Sequence, residues 1–221
     1  MEKGRILVGT LAYNGMVHMD YVSTILNLQN SIKIDLFTIS NESNIRRGRN
    51  KIFSYFVKHK DKYDYLLFLD SDIYADIEGL LRMIGRGKDI IGAPVRLKNP
   101  QKVIFNFGEI IDKSQFPLYK VTRVGTAVLL ISSKVAEKVQ ENEDRFSLYE
   151  VGDEDLNVNK LGLERVYDLF QTGVKDGKFV STDYYFCDLM RELGFDIWVD
   201  MEVKTTHAYY TKLGYGGVEK R

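Results

Sequence analysis

Short apolar runs alternate with helical spacing along the first part of the chain. Arg5 to Thr10, RILVGT, predicts a buried strand that gives way to a polar loop at Ala12 to Gly15. Met19, Val22, Ile25 and Leu26 then suit one face of a helix, and Asp35 to Ile39 predicts a second strand. Between Asn44 and Lys60, the residues Ile45, Ile52, Phe53 and Phe56 are spaced for one apolar helix face, and Ser43 or Asn44 can cap its start. Tyr65 to Leu69, YLLFL, is an uninterrupted apolar run, which implies cover on both faces of that strand. Asp76 to Ile84 predicts a short helix closed by Gly85 and Gly87, and Asp89 to Gly92 begins another strand. Strands and helices in this alternation predict a parallel sheet wrapped by helices, with right-handed crossovers and ligands at the carboxyl ends of the strands.

The second half changes character. Val103 to Phe107, Leu118 to Thr122 and Gly125 to Ile131 predict strands without long helices between them, which adds mixed or antiparallel strands to the same sheet. Asn142 to Asp176 is charged and contains glycine, the pattern of a mobile substrate loop. Thr182 to Leu193 predicts a helix ended by Gly194, Phe195 to Val199 a strand, and the tail from Lys204 carries His207 before a tyrosine- and glycine-rich end. The fold class is therefore α/β, with a Rossmann-like, mixed but mostly parallel central sheet flanked by helices. No repeat, low-complexity segment or linker divides the chain, so residues 1–221 read as a single domain.

Composition narrows function more than fold. With 44% apolar and 28% charged residues and only 3 prolines, disorder, collagen and coiled coil are excluded. The 31 basic and 31 acidic residues cancel, so no overall field steers the chain onto nucleic acid or an anionic membrane, and an anion must be bound locally. The lone Cys187 can form no internal disulfide and belongs to no zinc-binding cluster. Ile6 to Val8 is too short for a signal peptide or a membrane span, and the expectation is a soluble, cytoplasmic protein.

The strongest chemical signal is LFLDSD, Leu67 to Asp72, an apolar strand that ends directly in Asp70-Ser71-Asp72. Two carboxylates one residue apart at a strand end can share a site where oxygen ligands suit Mg²⁺ or Mn²⁺ on a phosphate; as an isolated pattern they equally suit a turn. Arg46, Arg49 and Asn50, at i, i+3 and i+4, share one helix face and offer two cations and an amide to a diphosphate, while Arg47 and Lys51 point elsewhere; the alternative is a basic, solvated helix surface. Tyr13 is placed to stack on a uracil or similar base, or is one exposed tyrosine among 14. His207 is either a metal ligand or a residue of the tail surface, and Cys187, among apolar neighbours, reads as core.

In this order the motifs resemble the nucleotide-sugar glycosyltransferases of GT-A fold, family-2-like and of the compact viral or bacterial type, over nearly the whole chain. Thr10-Leu11-Ala12-Tyr13 looks like the loop that holds the nucleoside, Arg46 and Arg49-Asn50 like the R..RN helix motif, and Asp70-Ser71-Asp72 like the metal motif. Val124-Gly125-Thr126-Ala127 is similar to the VGT/G strand, which brings Gly125 to the donor. Thr182 to Asp200, TDYYFCDLMRELGFDIWVD, is similar to the ED...(F/L)C..L...G..I..D segment, with Asp183 in the acid position and Thr182 where glutamate is usual. His207 sits where many members supply a C-terminal metal ligand.

The resemblance implies a metal-dependent transfer of a hexosyl group from a nucleoside diphosphate sugar, foremost a UDP-sugar, to a hydroxyl of a glycan or similar acceptor. Asp70, Asp72 and His207 would hold Mn²⁺ or Mg²⁺, and Asp183 would act as general base in an inverting enzyme or orient the acceptor in a retaining one. Residues up to about 100 would form the nucleotide-sugar half and those from about 101 the acceptor half. An acid at a helix start is also favoured by the helix dipole alone. Two rivals remain: a Mg²⁺-dependent phosphohydrolase of haloacid dehalogenase type, which places its DxD on the first strand, and a nucleotide-sugar-binding module without turnover, to which Thr182 in place of glutamate points.

Overall fold

The computed structural model describes residues 5–99, 101–150 and 162–208. The strands are β1 (Arg5–Ala12), β2 (Lys33–Ser40), β3 (Tyr65–Leu69), β4 (Ile73–Ala75), β5 (Ile90–Gly92), β6 (Ile110–Gln115), β7 (Leu118–Val121), β8 (Val128–Ser132), β9 (Leu148–Glu150), β10 (Arg165–Tyr167), β11 (Gly173–Lys175), β12 (Lys178–Val180), β13 (Ile197–Asp200) and β14 (Thr205–His207). The helices are α1 (Met19–Ser31), α2 (Ile45–Lys58), α3 (Ile77–Gly85), α4 (Ser133–Glu141) and α5 (Thr182–Glu192). Among them, an eight-stranded sheet runs in the order β2-β1-β3-β8-β5-β13-β7-β6. β8 is antiparallel to both its neighbours, β7 is antiparallel to β13 and β6, and the other strands share one direction. None of the described helices is long and apolar enough to cross a membrane.

The period of two along each strand divides the core into two layers. Leu7, Leu66, Phe68, Leu129 and Ile131 face α2, α4 and α5, through Ile52, Phe53, Phe56, Val135, Val139, Phe186 and Met190. Ile6, Val8, Leu67, Leu69 and Leu130 face α1 and α3, through Tyr21, Ile25, Leu28, Leu80 and Met83. Helix α2 lies very close to β1: a Cβ on Gly9 would stand 2.4 Å from Cγ2 of Ile52, and one on Gly48 would stand 2.6 Å from Cδ2 of Leu11. Side chains at these positions would push α2 off the sheet, and α2 carries the arginines of the site.

The start of α2 is fixed by an internal ion-pair group. Asn44 caps the helix by accepting from the Arg47 N–H at 3.2 Å. The buried Glu42 carboxylate accepts from Arg47 Nε and Nη2 and from Lys51 Nζ, each at 2.8 Å, and from the Asn44 N–H at 3.1 Å. Arg47 and Lys51 thus point away from the candidate site. Burial alone would raise the Glu42 pKa, but the hydrogen bonds from Arg47, Lys51 and Asn44 outweigh it and hold the carboxyl at about 2, below its ordinary 4.5. A depressed carboxylate pKa stabilises the fold above the unfolded value and loses that effect as pH falls through the folded one. Glu42→Gln is therefore expected to cost about 3 kcal/mol at neutral pH, the free-energy equivalent of a carboxyl held at about 2 instead of 4.5. The variant should also flatten the loss of stability between pH 4.5 and 2; urea melts across that range check both.

Several expectations require correction. The second half adds antiparallel strands to the same sheet as expected, but one of them, β8, lies between β3 and β5, so the parallel strands of the first half are not contiguous. Val103 to Phe107 forms no strand but only isolated bridges, Arg96 to Phe105 and Phe107 to Val124, and Val103, Ile104 and Phe105 remain 66%, 41% and 40% exposed. The strand of that region is β6, IIDKSQ, an edge strand in which the exposed Ile110 and Ile111 run into four polar residues, so no alternation marks it. Asn142 to Asp176 is structured where it is described. β9 pairs with β10, and Leu169 and Phe170 are fully buried, with Phe170 stacked on Phe186 at 4.5 Å. Residues 151–161 of that stretch, and the tail from 209, lie outside the described residues.

Candidate active site

The acid pair sits at the carboxyl end of β3, in the middle of the sheet. Asp70 donates its N–H to the Ala127 carbonyl at the entry to β8, and its own carbonyl accepts from Ile73, closing the turn that carries Ser71 and Asp72 into β4. The Ser71 carbonyl is taken by the His18 N–H at 2.8 Å, which ties the turn to the start of α1. β4 then pairs antiparallel with β14 in the register His207 to Ile73, and Ala208 donates to the Asp72 carbonyl at 2.9 Å. This ladder brings the Nε2 of His207 to 3.4 Å from Oδ2 of Asp72. The Nδ1 of His207 lies 2.9 Å from the Arg96 carbonyl, which can only accept, so Nδ1 carries a proton and Nε2 is the nitrogen with a lone pair to offer when the ring is neutral.

Arg49 joins the acid pair to α5. Buried to 4% exposure, it approaches Asp70 Oδ1 at 3.7 Å, donates to Thr182 Oγ1 at 2.9 Å and pairs directly with Asp183 Oδ1. Thr182 donates a hydrogen bond from its own hydroxyl to the same Asp183 oxygen at 2.8 Å. Among the described residues the other oxygen, Oδ2, accepts a single 3.3 Å bond, from the Thr126 N–H. Asp70 and Asp183 thus lie on either side of one guanidinium. The Asp70 carboxyl is raised from its ordinary range chiefly by loss of water around it, opposed by Arg49 and His207 and reinforced by the negative charges of Asp183 and Asp72. Its side chain is nevertheless 36% exposed, so a ligand has access to it from the cleft.

The remaining sequence candidates divide. Arg46 and Asn50 do not reach toward Asp70 with Arg49. Arg46 forms a two-bond pair with Asp168, and Asn50 donates to Asp168 at 2.7 Å while its carbonyl accepts from the Leu169 and Phe170 N–H groups at 3.0 and 2.9 Å. Asn50, 1% exposed, thereby anchors the 168–170 segment in the core. Thr10 is also buried, its hydroxyl bonded to Tyr21 Oη at 2.9 Å, and the Ala12 carbonyl closes a turn with the Gly15 and Asn41 N–H groups. From that loop Tyr13 presents its ring to solvent at 68% exposure. Gly125 donates to the Asn106 carbonyl at 2.7 Å, and a Cβ there would meet Asn106 Nδ2 at 3.0 Å. Cys187 is core, with its thiol pushed up to about 12 by burial.

Residues without a motif complete the site. Lys98 places Nζ 2.5 Å from Asp72 Oδ2, and a cavity of about 420 Å³ beside it is lined by Arg96 to Asn99 and Thr205 to His207. Lys98 has no local sequence signal, whereas Thr126 lies in the Val124-Gly125-Thr126-Ala127 motif and Asp168 is an acid set among the apolar neighbours Val166, Tyr167, Leu169 and Phe170. The donors of Asp70, Asp72 and His207, two carboxylates and an imidazole, suit Mg²⁺ or Mn²⁺ in kind. Among the described residues no three acidic, histidine or cysteine side chains gather into a closed ligand cluster, because Asp70 is turned to Arg49 and Asp72 to Lys98.

No protein-family model and no curated protein matches the sequence. Among solved structures the chain is similar to A197 from STIV, at 16% identity and a TM-score of 0.57, over 93% of this chain and 86% of that one. It is also similar to a mannose-1-phosphate geranyltransferase from Thermus thermophilus, at 10% identity and a TM-score of 0.50, over 91% of this chain and 75% of that one. At such identities the likeness is one of fold. It defines the chain as an α/β protein with a Rossmann-like mixed sheet between helical layers.

Proposed function

We propose that the protein is a metal-dependent glycosyltransferase that moves a hexosyl group from a nucleoside diphosphate sugar, foremost a UDP-sugar, to a hydroxyl of a glycan or similar acceptor. The observation that carries this reading is the meeting of Asp72 and His207 across the β4–β14 ladder, at the strand end where Asp70 faces Arg49 and Asp183. A phosphohydrolase with its acid pair on the first strand has no use for that arrangement. The name of one structure of similar fold, a mannose-1-phosphate geranyltransferase, agrees with sugar-phosphate chemistry.

Asp70, Asp72 and His207 would hold Mn²⁺ or Mg²⁺. Such an ion supplies Lewis-acid stabilisation of the charge that grows on a departing diphosphate. Tyr13 offers a ring to the base, and Arg49 keeps positive charge beside Asp70. Apart from His207, which comes from β14, the first hundred residues supply these groups, whereas the acceptor side draws on α5. There Asp183, steadied through Oδ1 by Arg49 and Thr182, keeps Oδ2 nearly free to take the proton of the incoming hydroxyl.

Calorimetric titration of UDP, GDP, ADP and CDP, each with Mn²⁺ and again with EDTA, tests the reading. The expected result is binding of UDP that disappears with EDTA. Absence of metal-dependent binding for all four would overturn it, and release of phosphate from generic phosphate esters would replace it with the hydrolase.

A further inference from the structure

One oxygen of Asp72 is already engaged: Oδ2 is held by Lys98 Nζ at 2.5 Å and faces His207 Nε2 at 3.4 Å. We infer that Lys98 is a tethered cation that competes with the divalent ion for Asp72, and that the diphosphate of the donor draws it away, so that metal and nucleotide bind cooperatively. The inference rests on the donor-site reading above. It adds a coupling device that the reading does not contain.

Geometry and charge support the competition. A divalent ion bonded to a carboxylate oxygen stands about 2.0–2.2 Å from it, inside the position the ammonium now takes, and two cations that close repel one another strongly in a partly desolvated cleft. Lys98 must therefore move when the metal arrives. The backbone around it is anchored, since Leu97 donates to the Ile104 carbonyl at 2.8 Å and Arg96 bridges to Phe105. Movement thus falls to the lysine side chain, 41% exposed and carried on a flexible four-carbon stem.

The cavity next to it has the size and charge to receive a diphosphate. It spans about 420 Å³, and besides Lys98 it is lined by Arg96, Asn99, Thr205 and His207, with no acidic residue among the described residues of its wall. A diphosphate there would give the displaced ammonium a better partner than water. Lys98 then opposes the metal when it comes alone and assists it when it comes with nucleotide. By linkage the metal must strengthen nucleotide binding by the same factor.

The test is Mn²⁺ binding followed by the electron paramagnetic resonance of free Mn²⁺, with and without saturating UDP. Wild type is compared with Lys98→Met and with Lys134→Met, which removes the same charge from α4 at the opposite end of β8 from the site. Lys98→Met is expected to bind Mn²⁺ alone about tenfold more tightly than wild type and to lose most of the gain from UDP, a coupling of ordinary size. Lys134→Met should follow wild type. Equal Mn²⁺ affinity in wild type and Lys98→Met, with UDP binding still dependent on Mn²⁺, overturns the competition and leaves the donor site standing. Weaker Mn²⁺ binding in Lys98→Met also overturns it, because Lys98 would then support the ion. If none of the three proteins binds Mn²⁺ with or without UDP, both the inference and the metal-dependent reading fall.

Discussion

Asp72→Asn is expected to remove the dependence of UDP binding on Mn²⁺ and to weaken binding in the presence of the ion by about a hundredfold, equivalent to ~2.7 kcal/mol. The reason lies in what converges on one carboxylate. Asp72 receives Lys98 and faces His207, and its backbone carbonyl is tied to Ala208, so the side chain is held toward the cleft rather than into solvent. An asparagine keeps the shape and the backbone ties but loses the charge that selects a cation. Calorimetry with and without EDTA reads the effect. Unchanged metal dependence in this variant would transfer the ion to other ligands. Because the residue is at a turn outside both core layers, the thermal midpoint should stay close to that of wild type.

The second large effect is kinetic. Asp183→Asn is expected to lower the rate of transfer by about 10²- to 10⁴-fold, the usual worth of a positioned base, while UDP binding stays intact. Oδ1 is committed to Arg49 and Thr182, so the loss should trace to Oδ2, whose one hydrogen bond among the described residues is the 3.3 Å bond from Thr126. Removal of the charge also takes a partner from Arg49, which keeps Asp70 and the Thr182 hydroxyl. Single-turnover transfer measured beside nucleotide affinity separates the two consequences. A transfer rate equal to wild type would end the assignment of Asp183 as base, and a fall in affinity alone would recast it as an anchor for Arg49.

Much of the framework could be read from local pattern, and the reasons are specific. β3 has the bounds that YLLFL predicts because an apolar run stops at an acid, and α2 starts at its predicted cap because Asn44 both precedes the apolar face and accepts from Arg47. α4 has an equally good signal, with Val135, Ala136 and Val139 on one buried face, but it lies within a region dominated by strands. β6 has only a weak one, since two exposed isoleucines followed by Asp-Lys-Ser-Gln show no alternation of apolar and polar positions. In the candidate site, DxD, Arg49 and Asp183 were visible as residue types in order along the chain. Their juxtaposition was not. Which side of α2 meets Asp70 and which meets Asp168 depends on the segment after β10, and the approach of Lys98 depends on bridges between Arg96 and Phe105. Tertiary pairing, with no local periodicity, decides these contacts.

The place of β13 in the sheet has a consequence for how the molecule is made. Ile197–Asp200 fills the gap between β5 and β7, two strands that appear far earlier in the chain. Until those four residues leave the ribosome, the growing protein carries two apolar strand edges with open backbone hydrogen-bonding groups, the kind of surface on which nascent chains stick to one another. Only a few residues later β14 delivers His207 to Asp72. Synthesis therefore ends the period of exposure and assembles the cleft almost together, and a chain cut short before β13 would be both sticky and without its histidine.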